Sequence, residues 1–440
     1  MTDSDPQDQL DRRTLLRHAG IATVGATVGV GALGATAAWS ETKKQKTAGS
    51  SSQELNADGP PASPVRTDPD ATLPAVPFHG SWQAGILTAA PPAAAFASFD
   101  VTVQKRSELV DLLKELTAVC RFLATGGVLP DRLASSAPPP DSGTLGPVVP
   151  ADGLTVTVGF GSSLFDNRAF GIAKHKPAHL KPMTPFPNDS LDPGQTGGDL
   201  HIQICAGSQD TVIHATRLIA KHTRGGMQLN WRLDGFKAPS RPTGAPRNHF
   251  GFNDGIANPD VWQDDVASRL LWVGGANEPA WATGGTYRAV RIIKQLIEFW
   301  DRVSINEQQT MIGRYRSNGA PLDGTKPDDI PNYAADPAGH VIPLDAHIRL
   351  ANPRTAETDE SRIYRRGYNY NRGVDLNGNL DMGLIFNAFC QNLDRQFIAT
   401  QTRLIGEPMV DYIQPVGGGY FFDLPGVRDK TDWYASTLFS

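Results

Sequence analysis

Four side chains in this chain have the types and the neighbours that chemistry would need: the carboxylates Asp254 and Asp394, the imidazole His347, and a guanidinium from the pair Arg365-Arg366. Asp254 lies in Gly251-Phe252-Asn253-Asp254-Gly255-Ile256-Ala257. The two glycines let the backbone turn tightly and approach a flat ligand closely. A carboxylate held among Gly, Ile and Phe is partly desolvated, which suits proton transfer. The same string is also ordinary Asn-Asp-Gly turn chemistry, so taken alone it stays open. His347, in Asp345-Ala346-His347-Ile348-Arg349-Leu350-Ala351-Asn352-Pro353-Arg354, is a lone imidazole in an apolar setting, and most such histidines are core or surface residues. Its company raises the interest: the Arg pair, the aromatic Phe386-Asn387-Ala388-Phe389 run, and Asp394, a carboxylate that could orient a metal-bound imidazole. His175 and His179 are separated by Pro177, so they cannot share a regular helix face as metal ligands would.

These residues need a scaffold, and the chain has ample length for one. Its 440 residues, 40% hydrophobic and 20% charged, suggest two domains of ordinary size. The net charge of -5 gives no global attraction to nucleic acid or to an anionic membrane. Cys120, Cys205 and Cys390 sit far apart in apolar runs and read as small buried hydrophobes, not as a disulfide framework.

The N-terminus reads as an export signal. Arg12-Arg13-Thr14-Leu15-Leu16-Arg17 is a twin-arginine start, followed by a Gly/Ala-rich apolar run and a small-residue cleavage site at Ala35-Thr36-Ala37. Residues 1–39 are therefore expected to be a signal peptide for the twin-arginine machinery, which carries folded proteins. The destination would be periplasm, cell envelope or extracellular space. Residues 40–77, rich in Ser, Thr, Lys, Asp, Gly and Pro, read as a disordered tether.

In a first unit, residues 78–245, alternating patterns predict strands over 94–103, 154–160, 200–206 and 227–233. Helical spacing of Leu109, Leu112, Leu113, Leu116 and Phe122 predicts one helix, and 210–221 a second. This order suggests an α+β, ferredoxin-like unit with helices on one face of an antiparallel sheet. A second unit, residues 246–440, carries predicted strands at 286–292, 363–368, 384–389 and 412–414, and a helix over 294–301. Two similar units suggest an old duplication.

Gly251-Phe252-Asn253-Asp254-Gly255 resembles the Gly-Phe-x-Asp-Gly signature of the dye-decolorizing haem peroxidases. The likeness continues in Gly80-x-x-Gln83-Ala84-Gly85-Ile86, Gly198-Asp199-Leu200, His347-Ile348-Arg349, Arg365-Arg366-Gly367-Tyr368 and Gly418-Gly419-Tyr420, and covers residues 78–440. The export signal and the long stretch between the Asp and His motifs resemble the secreted branch, which includes deferrochelatase-type peroxidases. The resemblance implies two ferredoxin-like units with antiparallel sheets and peripheral helices, with haem in the second. It implies that His347 is the proximal iron ligand, Asp254 the distal acid-base group, and Arg365, preferred to Arg366 on its spacing from the His, the distal arginine. Gly255, Ile256, Ala257, Asn352, Pro353 and Arg354 match haem-contacting segments, and Arg354 could pair with a propionate. Asp394 resembles the carboxylate behind the ligand, and Leu384 and Phe386 the apolar distal lining. His249 is a competing, lower-weighted ligand. Trp82 departs from a His that the family often has there.

The expected cofactor is one haem b per chain, bound non-covalently because the sequence has no Cys-x-x-Cys-His attachment motif. The expected partners are hydrogen peroxide and small aromatic reductants such as dyes and phenols. Trp262, Trp272, Trp281 and Tyr420 are candidate electron relays, although most such aromatics are simply core. Two other readings compete: release of iron from haem with the porphyrin left intact, in company with iron-uptake proteins, and a haem-binding or delivery protein without turnover. Storage would need only His347 and a pocket, so the full Asp254/Arg365 pair disfavours the last. The oligomeric state stays open, a homo-oligomer included.

Overall fold

The computed structural model describes residues 72–129, 138–166, 168–241 and 244–440; the proposed export signal and most of the tether lie outside them. The first half runs β1 (Ala93–Val101), α1 (Arg106–Thr125), β2 (Thr155–Gly161), β3 (Leu200–Ala206), α2 (Gln209–His222) and β4 (Met227–Phe236). Strand β1 pairs antiparallel with both β3 and β4, and β3 with β2, giving the order β4-β1-β3-β2. That is the ferredoxin-like arrangement the element order predicts.

The second half repeats it. It contains β5 (Thr286–Gln295), β6 (Tyr364–Arg365), β7 (Tyr368–Val374), β8 (Leu380–Cys390) and β9 (Ile413–Asp423). Strand β5 lies between β9 and β8, and β8 pairs in turn with β6 and β7. The halves are also stitched together at two seams, β2 to β9 and β4 to β7. Because β5 pairs with both β8 and β9, the sheet closes on itself as a ring, with β6 as an extra segment.

Strand alternation gives the ring an inside and an outside. In β1, Ala93, Ala95, Ala97 and Phe99 face outward into a core with Leu109, Leu112, Leu113 and Leu116 of α1 and Val212 and Ile219 of α2. Ala94 and Phe96 face inward, against Trp231, Val290, Tyr368 and Phe421. The interior also holds charge. Arg288 and Asp423, both fully buried, meet through Nε and Oδ2 at 2.7 Å, and Arg288 Nη1 lies 2.9 Å from His201 Nδ1.

Three elements differ from the expectations. The helix expected over 294–301 shrinks to Ile297–Trp300, because β5 continues through Gln295 by way of a register shift at Ile292/Ile293. The strand expected over 363–368 is broken between Arg365 and Tyr368. The strand expected at 412–414 runs on to Asp423 through Gly417-Gly418-Gly419. Those glycines serve close approach: a Cβ on Gly418 would run into the Val290 carbonyl oxygen.

Candidate active site

The outer face of the second half carries the cavity of interest. Its floor is Ile293 and Gln295 of β5, Leu384 and Phe386 of β8, and Ile413 and Pro415 of β9. Over that floor lie the two crossover segments of this half, one bearing His347 and the other Phe397, Leu404 and Glu407, together with the 248–257 loop.

The loop is a tight turn. Gly251 and Gly255 have φ of +85° and +94°, the left-handed region that glycine adopts freely. A Cβ on Gly251 would meet Arg316 Nε at 2.6 Å. The Asp254 N–H donates to the Pro246 carbonyl at 2.8 Å, which sets the carboxylate's position on the turn. Arg365 Nη1 donates to Asp254 Oδ1 at 3.2 Å, and both side chains keep some exposure, 28% and 22%. Asn258 holds the arginine's backbone from both sides: its Nδ2 donates to the Arg365 carbonyl at 2.8 Å, and its Oδ1 accepts from the Arg365 N–H at 3.0 Å. Neighbouring Arg366 points into the ring, where Nη1 donates to the Thr88 carbonyl. Alternation along the strand thus separates the two arginines.

His347 is the first residue of the short helix His347–Ala351. Its Nδ1 lies 2.6 Å from Glu407 Oε2, and Glu407 is buried. A carboxylate can only accept here, so Nδ1 carries the hydrogen and Nε2 keeps its lone pair. Burial pulls the imidazole's pKa down, but the charge and hydrogen bond of Glu407 outweigh it, and the net shift is upward. The fields of Arg365 and Asp254 also reach this ring.

Asp394 does not take the place expected for it. Its carboxylate bonds His179 Nδ1 at 3.0 Å and the Lys181 ammonium, and is about half exposed. It opens the second crossover on the side facing the 175–181 loop, whereas Glu407, at the far end of that crossover, returns beneath His347. Ile256, Ala257, Asn352 and Arg354 line the cavity; Pro353 does not, and Gly255 lines a neighbouring cavity instead. His249 is engaged elsewhere, with Nε2 3.0 Å from the Tyr370 carbonyl oxygen.

Arg314 is a lining residue that sequence reasoning missed. Burial lowers its pKa to about 10, with the nearby charges of Arg354 and Arg365 acting in the same direction. With Arg362, several guanidiniums thus crowd one cavity. Among the described residues no group of three or more His, Cys, Asp or Glu side chains could hold a metal ion. A metal at His347 would therefore bring its other ligands with it. One imidazole, apolar walls and several guanidiniums fit an iron porphyrin with two carboxylates.

Of the relay candidates, Trp281 and Tyr420 are buried in the main core. Trp272 stacks on the half-exposed Trp82 with ring centroids 5.2 Å apart, and neither lines the cavity. Trp262 stands at the neighbouring cavity.

Residues 83–237 match the N-terminal and residues 245–428 the C-terminal sequence model of the Dyp-type peroxidases. The deferrochelatase of Escherichia coli strain K12 is 47% identical over 382 residues, which is 86% of this chain and 90% of that protein. The crystal structure of a DyP-type peroxidase from Cellulomonas bogoriensis is 34% identical and superposes with a TM-score of 0.74 over 83% of this chain and 98% of that one. Ferric DtpA from Streptomyces lividans is 29% identical, with a TM-score of 0.74 and the same coverage.

Proposed function

We propose, from the premise that this chain belongs to the Dyp-type peroxidase family, that Asp254 and Arg365 handle the proton and the charge in peroxide reduction while His347 holds the iron of one non-covalent haem b. Membership makes the chain a haem peroxidase; the residue roles are our reading. The observation that carries it is the Arg365–Asp254 ion pair at 3.2 Å in the cavity that also holds His347.

Bound haem would supply the redox chemistry and a position for hydrogen peroxide. Glu407, accepting the Nδ1 hydrogen of His347, fixes the tautomer, leaves Nε2 as the ligand atom and strengthens it as a donor. Asp254 would take a proton from one oxygen of peroxide and return it to the other. The Arg365 guanidinium, its backbone clamped by Asn258, stabilises negative charge on the departing oxygen. Arg314 and Arg354, which line the cavity, would pair with the propionates. Leu384, Phe386 and Phe397 give the cavity apolar walls, which would limit the entry of water once haem is bound. Dyes and phenolic donors would return the electrons.

Rapid mixing of the haem-loaded protein with hydrogen peroxide tests this reading. The haem spectrum should change within the mixing range, and more slowly in Asp254→Asn; an unresponsive spectrum rejects it. A second reading, release of iron with the porphyrin intact, is favoured by the likeness to the deferrochelatase. Iron-free porphyrin released during incubation with haem and a reductant would support it.

We further propose export by the twin-arginine route, supported by Arg12-Arg13 and the apolar run behind them. Replacing both arginines by Lys should leave folded precursor in the cytoplasm, and unchanged export rejects the route. A division into domains 78–245 and 246–440 is supported by the two family matches and by the repeated strand order.

A further inference from the structure

A second cavity backs onto the first, and nothing in the peroxide chemistry uses its charge. The two share Asn248, Asp254, Ile256, Arg365 and Leu384 as a common wall. Beyond that wall the second cavity is lined by two cations that the proposed chemistry leaves idle, Lys237 and Arg366. Lys237 follows directly on β4, with its N–H tied to the Pro92 carbonyl at 2.8 Å. Its ammonium lies 5.5 Å from the centroid of the Tyr368 ring and, among the described residues, has no carboxylate or hydrogen-bond partner. Arg366 is only 3% exposed and donates only through Nη1; its Nε and Nη2 have no partner among the described residues.

The remaining charges do not cancel these two. Arg247 is spent on carbonyls, its Nη1 and Nη2 reaching Gly251, Arg316 and Ser317. Asp254 is paired with Arg365. Asp260 is exposed and bonds the Trp262 N–H. The cavity therefore carries an excess of positive charge, which a bound anion would neutralise. Two large rings, Phe236 and Trp262, also line the cavity and are 41% and 38% exposed.

We propose that this cavity binds a small aromatic carboxylate, its anionic group on the Lys237 ammonium beside Arg366 and its ring against Phe236 and Trp262. A carboxylate matches the free ammonium of Lys237, and a ring matches the two exposed aromatics. The bound molecule would sit against the shared wall, next to the Asp254–Arg365 pair. The site goes beyond the peroxidase reading and is assayed without turnover, so the two can fail separately.

The test is titration calorimetry of the resting, haem-loaded protein with benzoate as probe, and with acetate and benzylamine as controls. Benzoate should bind without shifting the haem absorption band, acetate more weakly, and benzylamine not at all. Lys237→Met should weaken benzoate about ten-fold or more, the scale of one charge-assisted hydrogen bond. Lys237→Arg should retain most of the affinity, which guards against a folding artefact in the first variant. Equal affinity in wild type and Lys237→Met overturns the proposal. So does benzylamine or acetate binding as tightly as benzoate, or a shift of the haem band that places benzoate on the iron.

Discussion

Glu407 accepts the Nδ1 hydrogen of His347 at 2.6 Å across the two crossovers of the second half. The carboxylate is 3% exposed and so is shielded from water that would weaken the contact. An imidazole oriented in this way is a better electron donor to a metal, and its ring is fixed before any ligand arrives.

Glu407→Gln should therefore keep the shape of the site but lose the charge. Haem affinity should fall by roughly 10–100-fold, the usual scale for a partner behind a metal ligand. The iron midpoint potential should rise. Haem-transfer titration and spectroelectrochemistry check both, and a variant identical to wild type would show that Glu407 does not act through His347. Asp394→Asn, by contrast, should leave both quantities unchanged.

Asp254→Asn should slow the reaction with peroxide by roughly 100-fold or more, as loss of an acid-base group does. Arg365→Leu should cost on the order of 3 kcal/mol in the same step, by analogy with removing a donor to a developing oxyanion. The two losses should not add, because the side chains bond each other. Rapid-mixing rates of the single and double variants measure the coupling. Asn258→Ala should lower the rate as well, since it frees the backbone of Arg365.

Lys237 gives a pH prediction of its own. Burial, with Arg366 adding to it, lowers its pKa from 10.5 to about 8, while Asp254 and Cys205 oppose that shift and the Tyr368 ring lies alongside. The ammonium should thus be lost as pH rises through about 8, and benzoate binding with it; Lys237→Arg should hold its affinity through that range. Stability runs the other way. Between about 8 and 10.5 the unfolded chain binds more protons at this position than the folded one, so this group's contribution to stability grows with pH. Titration of a labelled lysine ammonium locates the midpoint directly.

Inside the ring, Asp423→Ala should destabilise the fold by roughly 3–5 kcal/mol, because it strands the buried Arg288 charge. Replacing both residues together with apolar ones should cost less than that. Urea unfolding of the three proteins decides the order.

The legible part of this fold is where pattern and packing coincide. The strand predicted at 200–206 has the bounds of β3, since Leu200, Ile202 and Ile204 all face the helix-covered core. Strand β9 is hidden beyond Gln414 because Gly417-Gly418-Gly419 carries no side-chain pattern; only neighbouring backbones explain it. Asp254, Arg365 and His347 stand out through the ordered motifs that hold them. Glu407 does not, because nothing in a linear chain says which of two carboxylates, one at each end of a crossover, folds back onto an imidazole. Arg314 lies in a loop with no periodicity, and only its burial beside Arg354 and Arg365 marks it.

The closed sheet also dictates when the molecule can be completed. Strand β9 is the partner of both β2 and β5, yet it is the last of the described strands to leave the ribosome. A nascent chain that has not reached Ile413 must therefore carry two unpaired strand edges, one from each half, and such edges invite pairing with other chains. Contacts this distant in sequence also form slowly. Synthesis should consequently run ahead of folding, with the ring sealed in a late step, and truncation just before Ile413 should yield aggregate and not a smaller folded protein.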